Sequence, residues 1–215
     1  MSKHPAQEFE GEFEVHLTVE SGGAASMEAV SRHADTHGLK FVQIVLPRGA
    51  VRSQPMLGWR ARGTLSEQRH AIAMAAERLR SDGIRLMRAK IEAAPSNADV
   101  PQSGPCATDE RYFESHLKLL LDSHADIAGL TELAIAHGAH LSRNARRVRE
   151  DGREERFATL RRRSGGVDAI TRDSAALADA LSHSRLCQVV SSEIEYVVYD
   201  SAPAVDAGWL PEGER

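Results

Sequence analysis

The sequence has little cysteine, no long apolar run and little net charge, and each shortage excludes a class of protein. Two cysteines among 215 residues cannot form a disulfide framework, and no Cys-x-x-Cys pair offers a zinc site. No stretch approaches the roughly 18 apolar residues that span a bilayer. The polar, acidic beginning is unlike a signal peptide. We therefore expect a cytoplasmic protein without a membrane partner.

The net charge of −4 gives the chain no general attraction to nucleic acid. A hydrophobic content of 41% is typical of a globular protein, and the length fits one large domain or two small ones. Each half alone would have only a modest core, so we expect the halves to pack together.

The chain repeats itself at an offset of about 100 residues, and such internal similarity indicates duplication. Four matches occur in the same order in both halves, which chance does not readily produce. The segments at 13–17, 37–38, 56–60 and 91–92 match those at 113–117, 137–138, 157–161 and 194–195.

Hydrophobic periodicity predicts the order β-α-β-β-α-β in each half. Ser26 is predicted to cap the first helix, and Ser66 with Glu67 to open the second. The predicted strands are 12–20, 39–46, 55–63, 84–93, 112–121, 139–148, 155–163 and 186–199, and the helices are 26–37, 66–83, 126–137 and 172–183.

This order resembles that of tandem ferredoxin-like proteins. The resemblance implies an α+β fold of two βαββαβ repeats, each an antiparallel four-stranded sheet with two helices on one face. Residues 1–95 would form the first repeat, 96–110 a linker, 111–200 the second repeat, and 201–215 an irregular tail.

Strand alternation places a Glu-x-His pair on the sheet face opposite the helices in each half. Glu14 with His16, and Glu114 with His116, are therefore the candidate catalytic residues. A carboxylate beside an imidazole can orient it as a general base, or both can bind a metal. The alternative is that these charges are solvated or pair between the halves.

A divalent metal is one candidate cofactor for these faces. If the two sheets pack together, His16 and His116 could converge with Glu92 and Glu195, which lie on the last strand of each half. Imidazole and carboxylate together form a common ligand set for a divalent ion.

Basic residues suggest a small anionic ligand, because arginine binds carboxylates and phosphates with two parallel hydrogen bonds. The alternative is an exposed loop in which arginines alternate with acidic residues. The candidate ligand-binding residues are Arg48, Arg52, Arg60, Lys90, Arg146, Arg147 and Arg149.

Two further resemblances point toward enzymes. The segments FEVHLTV and FESHLKL are similar to the first strand of vicinal-oxygen-chelate proteins, which implies His16 with Glu92, and His116 with Glu195, as metal ligands. The tripeptide HLT at 16–18 resembles the His-x-Thr motif of two-histidine phosphoesterases, although the second copy reads HLK.

RNA-recognition motifs share the predicted element order, but they stack bases on aromatic side chains of the central strands. The corresponding positions here include Glu14, His16 and Gly58, so we expect no nucleic-acid binding of that kind. Two hypotheses remain. One is an enzyme for a small anionic substrate; the other is a non-catalytic ligand-binding or regulatory module that acts through contacts in a homo-oligomer.

Overall fold

The computed structural model describes residues 7–22, 24–104, 110–146, 149 and 151–209, without the side chains of residues 24–26. The predicted cap at Ser26 and the candidate ligand residue Arg147 therefore lie outside the described part. Within that part the chain is a mixed α+β protein with four α-helices and eight strands.

The first half contains β1 (Glu10–Val19), α1 (Ala24–His37), β2 (Lys40–Val45), β3 (Ser53–Thr64), α2 (Leu65–Ser81) and β4 (Leu86–Ala93). The second half contains β5 (Tyr112–Leu121), α3 (Ile127–Ala136), β6 (Ala139–Asn144), β7 (Glu154–Arg162), α4 (Gly166–Ser184) and β8 (Gln188–Asp200), followed by a 3-10 turn at Pro203–Asp206.

The eight strands form one closed antiparallel barrel rather than two separate four-stranded sheets. The order around the barrel is β1-β3-β2-β6-β7-β5-β8-β4, and β4 pairs back to β1. Two junctions join the halves: β4 pairs with β8 at four positions, and β2 pairs with β6 at two. Closure removes the unpaired strand edges that two independent sheets would expose.

Alternation along β1 and β5 separates an apolar outer face from a polar inner face. Val15 and Leu17 on β1, and Leu117 and Leu119 on β5, are fully buried in a core shared with the helices. The residues between them on each strand face the barrel interior instead. The predicted alternation of side chains along these strands is therefore confirmed. The sheet face that was predicted to be open lines the inside of the barrel.

The two halves place equivalent residues in equivalent pairing positions. Glu14 lies opposite Arg60 on β3 and Glu92 on β4. Glu114 lies opposite Arg161 on β7 and Glu195 on β8. The inner surface therefore carries the same acidic and basic positions twice.

Helix α2 begins one residue before the predicted Ser66, because Thr64 is its cap. The Thr64 side chain accepts a hydrogen bond from the Glu67 backbone, and Glu67 accepts one from the Thr64 backbone. This is a capping box, which satisfies two backbone donors at the helix start. None of the helices in the described ranges is long and apolar enough to cross a membrane.

Helix α4 begins six residues before the predicted position, because the segment between the halves docks onto its start. The backbone N–H groups of Val167 and Asp168 donate to the carbonyls of Pro101 and Gln102. Gly166 has a φ of +64°, and a Cβ there would lie 2.5 Å from the Gln102 backbone. Contacts of this kind are not visible in helical periodicity.

The C-terminal segment closes one end of the barrel. Trp209 is 6% exposed, packs against Leu46, and donates its indole N–H to the Leu141 carbonyl at 3.3 Å. Asp206 is 5% exposed and accepts hydrogen bonds from Arg88. The predicted irregular tail is thus a plug formed by residues 203–209.

We expect Trp209→Ala to lower the free energy of unfolding by about 3 kcal/mol, because removing a buried indole leaves a cavity. Urea denaturation followed by circular dichroism measures this change. Val190→Ala is the control, since Val190 is 51% exposed and its change should stay within about 0.5 kcal/mol. A loss below about 1 kcal/mol for Trp209→Ala would show that the plug contributes little to stability.

Candidate functional site inside the barrel

The barrel encloses a cavity of about 330 Å³, within the range of small-molecule sites. Its lining divides into two walls. Strands β1, β4, β5 and β8 contribute a charged wall, whereas β2, β3, β7 and the C-terminal plug contribute a mainly apolar one, which also includes Lys40 and Asp206. The apolar residues are Val42, Ile44, Leu46, Met56, Phe157 and Trp209.

His16 is fixed by a carboxylate of its own half. Its Nε2 lies 2.9 Å from Glu92 Oε2 and 3.7 Å from Glu14 Oε1. Gly58 lies opposite His16 on β3, and a Cβ at Gly58 would come within 3.2 Å of the ring nitrogen Nδ1. Glycine at this position therefore leaves room for the ring.

His116 occupies the equivalent position but has different partners. Thr159 replaces the glycine, and its hydroxyl lies 2.9 Å from His116 Nδ1. Nε2 of His116 lies 3.5 Å from Glu195 and 3.6 Å from Glu114. The His116 side chain is 27% exposed and that of His16 is 16% exposed, so His116 is the more accessible of the two.

Lys90 joins the two halves at the centre of the charged wall. Its ammonium lies 2.5 Å from Glu92 Oε1 and 2.7 Å from Glu114 Oε2. Both carboxylates are at most 2% exposed. A single cation thus neutralises one buried acid from each half. Pairing of charges between the halves is the alternative that the sequence analysis left open.

The equivalent arginines on β3 and β7 have different environments. Arg161 is 13% exposed and contacts Glu114 and Asp206 at 2.7 Å. Arg60 is 68% exposed and bridges Glu14 and Glu193, at 2.7 and 2.5 Å. Arg161 therefore lies beside the plugged end, whereas Arg60 lies at the surface.

The plugged end contains a second buried ion-pair network. Arg88 donates to both carboxylate oxygens of Asp200, at 2.8 and 2.6 Å, and to Asp206 at 3.0 Å. The Tyr112 hydroxyl donates to Asp200 at 2.6 Å. Because these groups satisfy one another, this network anchors the plug to the barrel.

Burial and charge move the pKa values of the acidic residues in opposite directions. Burial disfavours the charged form of Glu114, but Lys90 and Arg161 hold its pKa well below the usual range. Burial and the charge of Glu92 raise the pKa of Glu195 to about 7. Glu195 therefore exchanges a proton near neutral pH, whereas Glu114 stays ionised.

The two histidines have raised pKa values. Burial disfavours their charged forms, but Glu92 outweighs this effect and raises the pKa of His16. The nearby carboxylates of Glu114 and Glu195 raise the pKa of His116 to about 10. His116 is therefore an imidazolium at neutral pH, able to donate a hydrogen bond from Nε2 but not to act as a base.

The proposed metal ligands come together only partly. Ligand atoms of Glu92, Glu114 and His116 lie within 4.8 Å of one another, whereas His16 and Glu195 belong to neighbouring ion pairs. The Lys90 ammonium already lies between Glu92 and Glu114, where it supplies the positive charge that a divalent ion would supply. A metal site formed by His16, His116, Glu92 and Glu195 remains a prediction.

The loop arginines named as anion ligands contact different parts of the molecule. Arg48 lies 3.2 Å from His140 beside the plug, and Arg52 lies 3.5 Å from the Leu46 carbonyl. Arg146 stacks on Phe41, 4.2 Å from the ring centre. Arg149 pairs with Glu155 at 3.2 Å. Only Arg60 and Lys90 of the proposed set, among the described residues, contact the charged wall.

Sequence reasoning missed two residues that shape the site. Arg161 could have been found, because it matches Arg60 at the offset that relates the two halves. Asp206 had no such signal, because it lies in a tail without periodicity.

We expect Lys90→Met to lower the free energy of unfolding by about 3 kcal/mol at pH 7, because it leaves two buried carboxylates without their shared cation. Chemical denaturation measures the loss. Arg62→Met is the control, since Arg62 pairs with Glu12 on the surface and exposed pairs contribute at most about 1 kcal/mol. Equal losses in the two variants would contradict the central role of Lys90.

The raised pKa of Glu195 makes its effect on stability depend on pH. The folded state holds this proton more tightly than the unfolded state, so its contribution to stability falls as pH rises from about 4.5 to about 7. Gln cannot ionise. We therefore expect Glu195→Gln to gain about 2 kcal/mol relative to the wild type between pH 5 and pH 8.

Urea denaturation at both pH values measures this difference. Glu12→Gln is the control, because it makes the same change at a carboxylate that is 63% exposed. A Glu195→Gln difference that is the same at pH 5 and pH 8 would show that Glu195 has an ordinary pKa.

Comparisons with known proteins leave the family of this chain open. No protein-family model and no curated protein matches it. The small subunit of acetolactate synthase from Thermotoga maritima is similar over 86% of this chain and 95% of its own, at 13% identity and a TM-score of 0.30. A proposed monooxygenase from Fusobacterium nucleatum covers 96% and 99%, at 8% identity and a TM-score of 0.30. At these scores neither likeness carries an argument.

Proposed function

We propose that this chain is an enzyme that binds a small molecule with an anionic head and an apolar body inside the barrel and transfers a proton to or from it. The observation that carries this proposal is the cavity with one charged and one apolar wall. Strand β2 lies across the barrel from β8, so a ligand between them would contact both walls at once.

His116 and Lys118 are the groups that fit an anionic head. They lie two residues apart on β5, both line the cavity, and their side chains are 27% and 21% exposed. Lys118 pairs with Glu155 at 3.1 Å, so part of its charge is balanced. Two accessible cationic groups on one strand face can hold a carboxylate or a similar anion.

Glu195 and His116 fit the roles of base and charge stabiliser. A general base works best when its pKa is near the working pH, and the pKa of Glu195 is raised to about 7. The neighbouring His116 imidazolium would stabilise negative charge that develops as the proton leaves. Glu114 would orient His116, and His16 with Glu92 would be the more enclosed counterpart in the first half.

The same features support two further parts of the proposal. We infer that the chain is a duplicated pair of ferredoxin-like repeats, because equivalent inner residues occupy equivalent pairing positions in both halves. We also infer that nucleic acid is not the ligand. Carboxylates would repel phosphate, and the cavity is lined by few aromatic side chains on which bases could stack.

A second candidate is a ligand-binding module without catalysis. It is favoured by Lys90 and Arg161, which already hold the Glu114 carboxylate on two sides. A fully paired carboxylate is a poor base. This alternative keeps the same ligand class but assigns no proton transfer to Glu195.

Phenylpyruvate is a suitable probe, because it combines an aromatic body, a carboxylate head and an acidic C–H group. We expect saturable binding, which NMR signals of the Met56 methyl and the Trp209 indole would report. We also expect the protein to accelerate exchange of the phenylpyruvate methylene protons in deuterated water. Glu195→Gln should slow the exchange about 100-fold with little change in affinity. Glu12→Gln, at the surface, should exchange as the wild type does.

The possible results separate the two candidates. Binding without accelerated exchange would support the binding module and contradict the enzyme. Lack of binding by both phenylpyruvate and phenylacetate would contradict the proposed ligand class. Equal exchange rates in Glu195→Gln and the wild type would remove Glu195 from its role.

A further inference from the structure

A second cluster of ionisable residues lies outside the barrel, where the ends of α1 and α2 meet. His33 and His37 are one helical turn apart on α1, with ring centres 4.5 Å apart. Asp82 follows α2 as its C-terminal cap. His33 Nδ1 donates to Asp82 Oδ2 at 2.6 Å, so the cluster joins two elements that are distant in sequence.

The three residues have the arrangement of a small metal site. One ligand atom of each residue lies within 4.8 Å of those of the other two. Zinc bonds of about 2.0–2.2 Å place tetrahedral ligands about 3.3 Å apart, so modest side-chain rotation would bring the three atoms to one ion. The His33 side chain is 2% exposed and that of Asp82 is 50% exposed, which leaves one side of the cluster accessible.

The local field also favours a cation. His37 is the last residue of α1, and Asp82 immediately follows α2. The C-terminal end of a helix carries partial negative charge on its free carbonyl groups. Two such ends and one carboxylate converge on the cluster, and two imidazoles supply neutral nitrogen ligands.

The second half lacks this cluster, although it has the same element order. Leu133 and His137 occupy the positions equivalent to His33 and His37, at the offset of 100. Arg185 caps α4 as Asp82 caps α2. An arginine at the third position would repel a cation. The combination of two histidines and an aspartate is therefore specific to the first half, and the second half is a matched control within the same chain.

We propose that His33, His37 and Asp82 form a site for one Zn²⁺ ion, with water completing the coordination. Two imidazoles and a carboxylate suit zinc better than calcium or magnesium, which prefer oxygen ligands. The ion takes the place of the proton between His33 Nδ1 and Asp82, and the imidazole stays neutral by carrying its one ring proton on Nε2. The site ties α1 to the turn between α2 and β4, independently of any ligand in the barrel.

Zinc titration of the metal-free full-length chain tests this site. Isothermal titration calorimetry with Zn²⁺ alone should give one ion per chain, and zinc should raise the melting temperature. His37→Gln and Asp82→Asn change accessible side chains and should keep the fold. Loss of a residue that only hydrogen-bonds to a metal ligand weakens metal binding about 10–100-fold. Because each of these variants loses a ligand itself, each should bind zinc at least about 100-fold more weakly.

Two control variants make the result specific. His137→Gln alters the equivalent histidine of the second half and should bind zinc as the wild type does. His116→Gln alters the barrel cluster and should also leave this binding unchanged. Absence of a one-to-one complex in the wild type would overturn the proposal. So would undiminished binding by His37→Gln and Asp82→Asn, or loss of binding in His116→Gln.

Discussion

The ion pair of Lys90 with Glu92 and Glu114 is the interaction on which the inner surface of the barrel depends. Removing two carboxylates from water costs several kcal/mol for each, and both are almost fully buried here. One ammonium within 2.7 Å of both offsets that cost only while the halves stay in register. The charge balance inside the barrel and the association of the two halves are therefore one constraint.

Barrel closure follows from the same constraint. A single half would expose a charged sheet face and two unpaired edge strands. Its helices cover only the other face of the sheet, so nothing within that half covers the charged face. Antiparallel pairing of β4 with β8, and of β2 with β6, covers both. The apolar faces remain outside, beneath the helices, and the charged faces meet across an eight-stranded barrel, a size that leaves room for side chains or one small ligand.

Much of the local structure could be predicted from the sequence, because alternation and helical periodicity are local signals. Every strand was placed within a few residues. The position of Glu14, His16, Glu114 and His116 on the face opposite the helices followed from strand alternation. Closure was not predictable, since pairs such as Ile44 with Asn144 join segments 100 residues apart. The ion pair that Lys90 forms between the halves was not predictable either. Its partner Glu114 belongs to the other half, and no periodic pattern links the two residues.

The differences between the halves say more about function than their likeness does. Gly58 and Thr159 are equivalent, but glycine only makes room for His16, whereas the threonine hydroxyl holds His116 by its Nδ1. Lys90 and Glu193 are equivalent as well, so the first half has a cation where the second has an acid. The first half therefore neutralises its own acidic residue. In the second half Glu195 has no such neighbour on its strand, and burial together with the charge of Glu92 raises its pKa to about 7. The two acid–imidazole pairs therefore occupy equivalent positions in the barrel, but the first has Lys90 opposite its histidine and the second has Glu193.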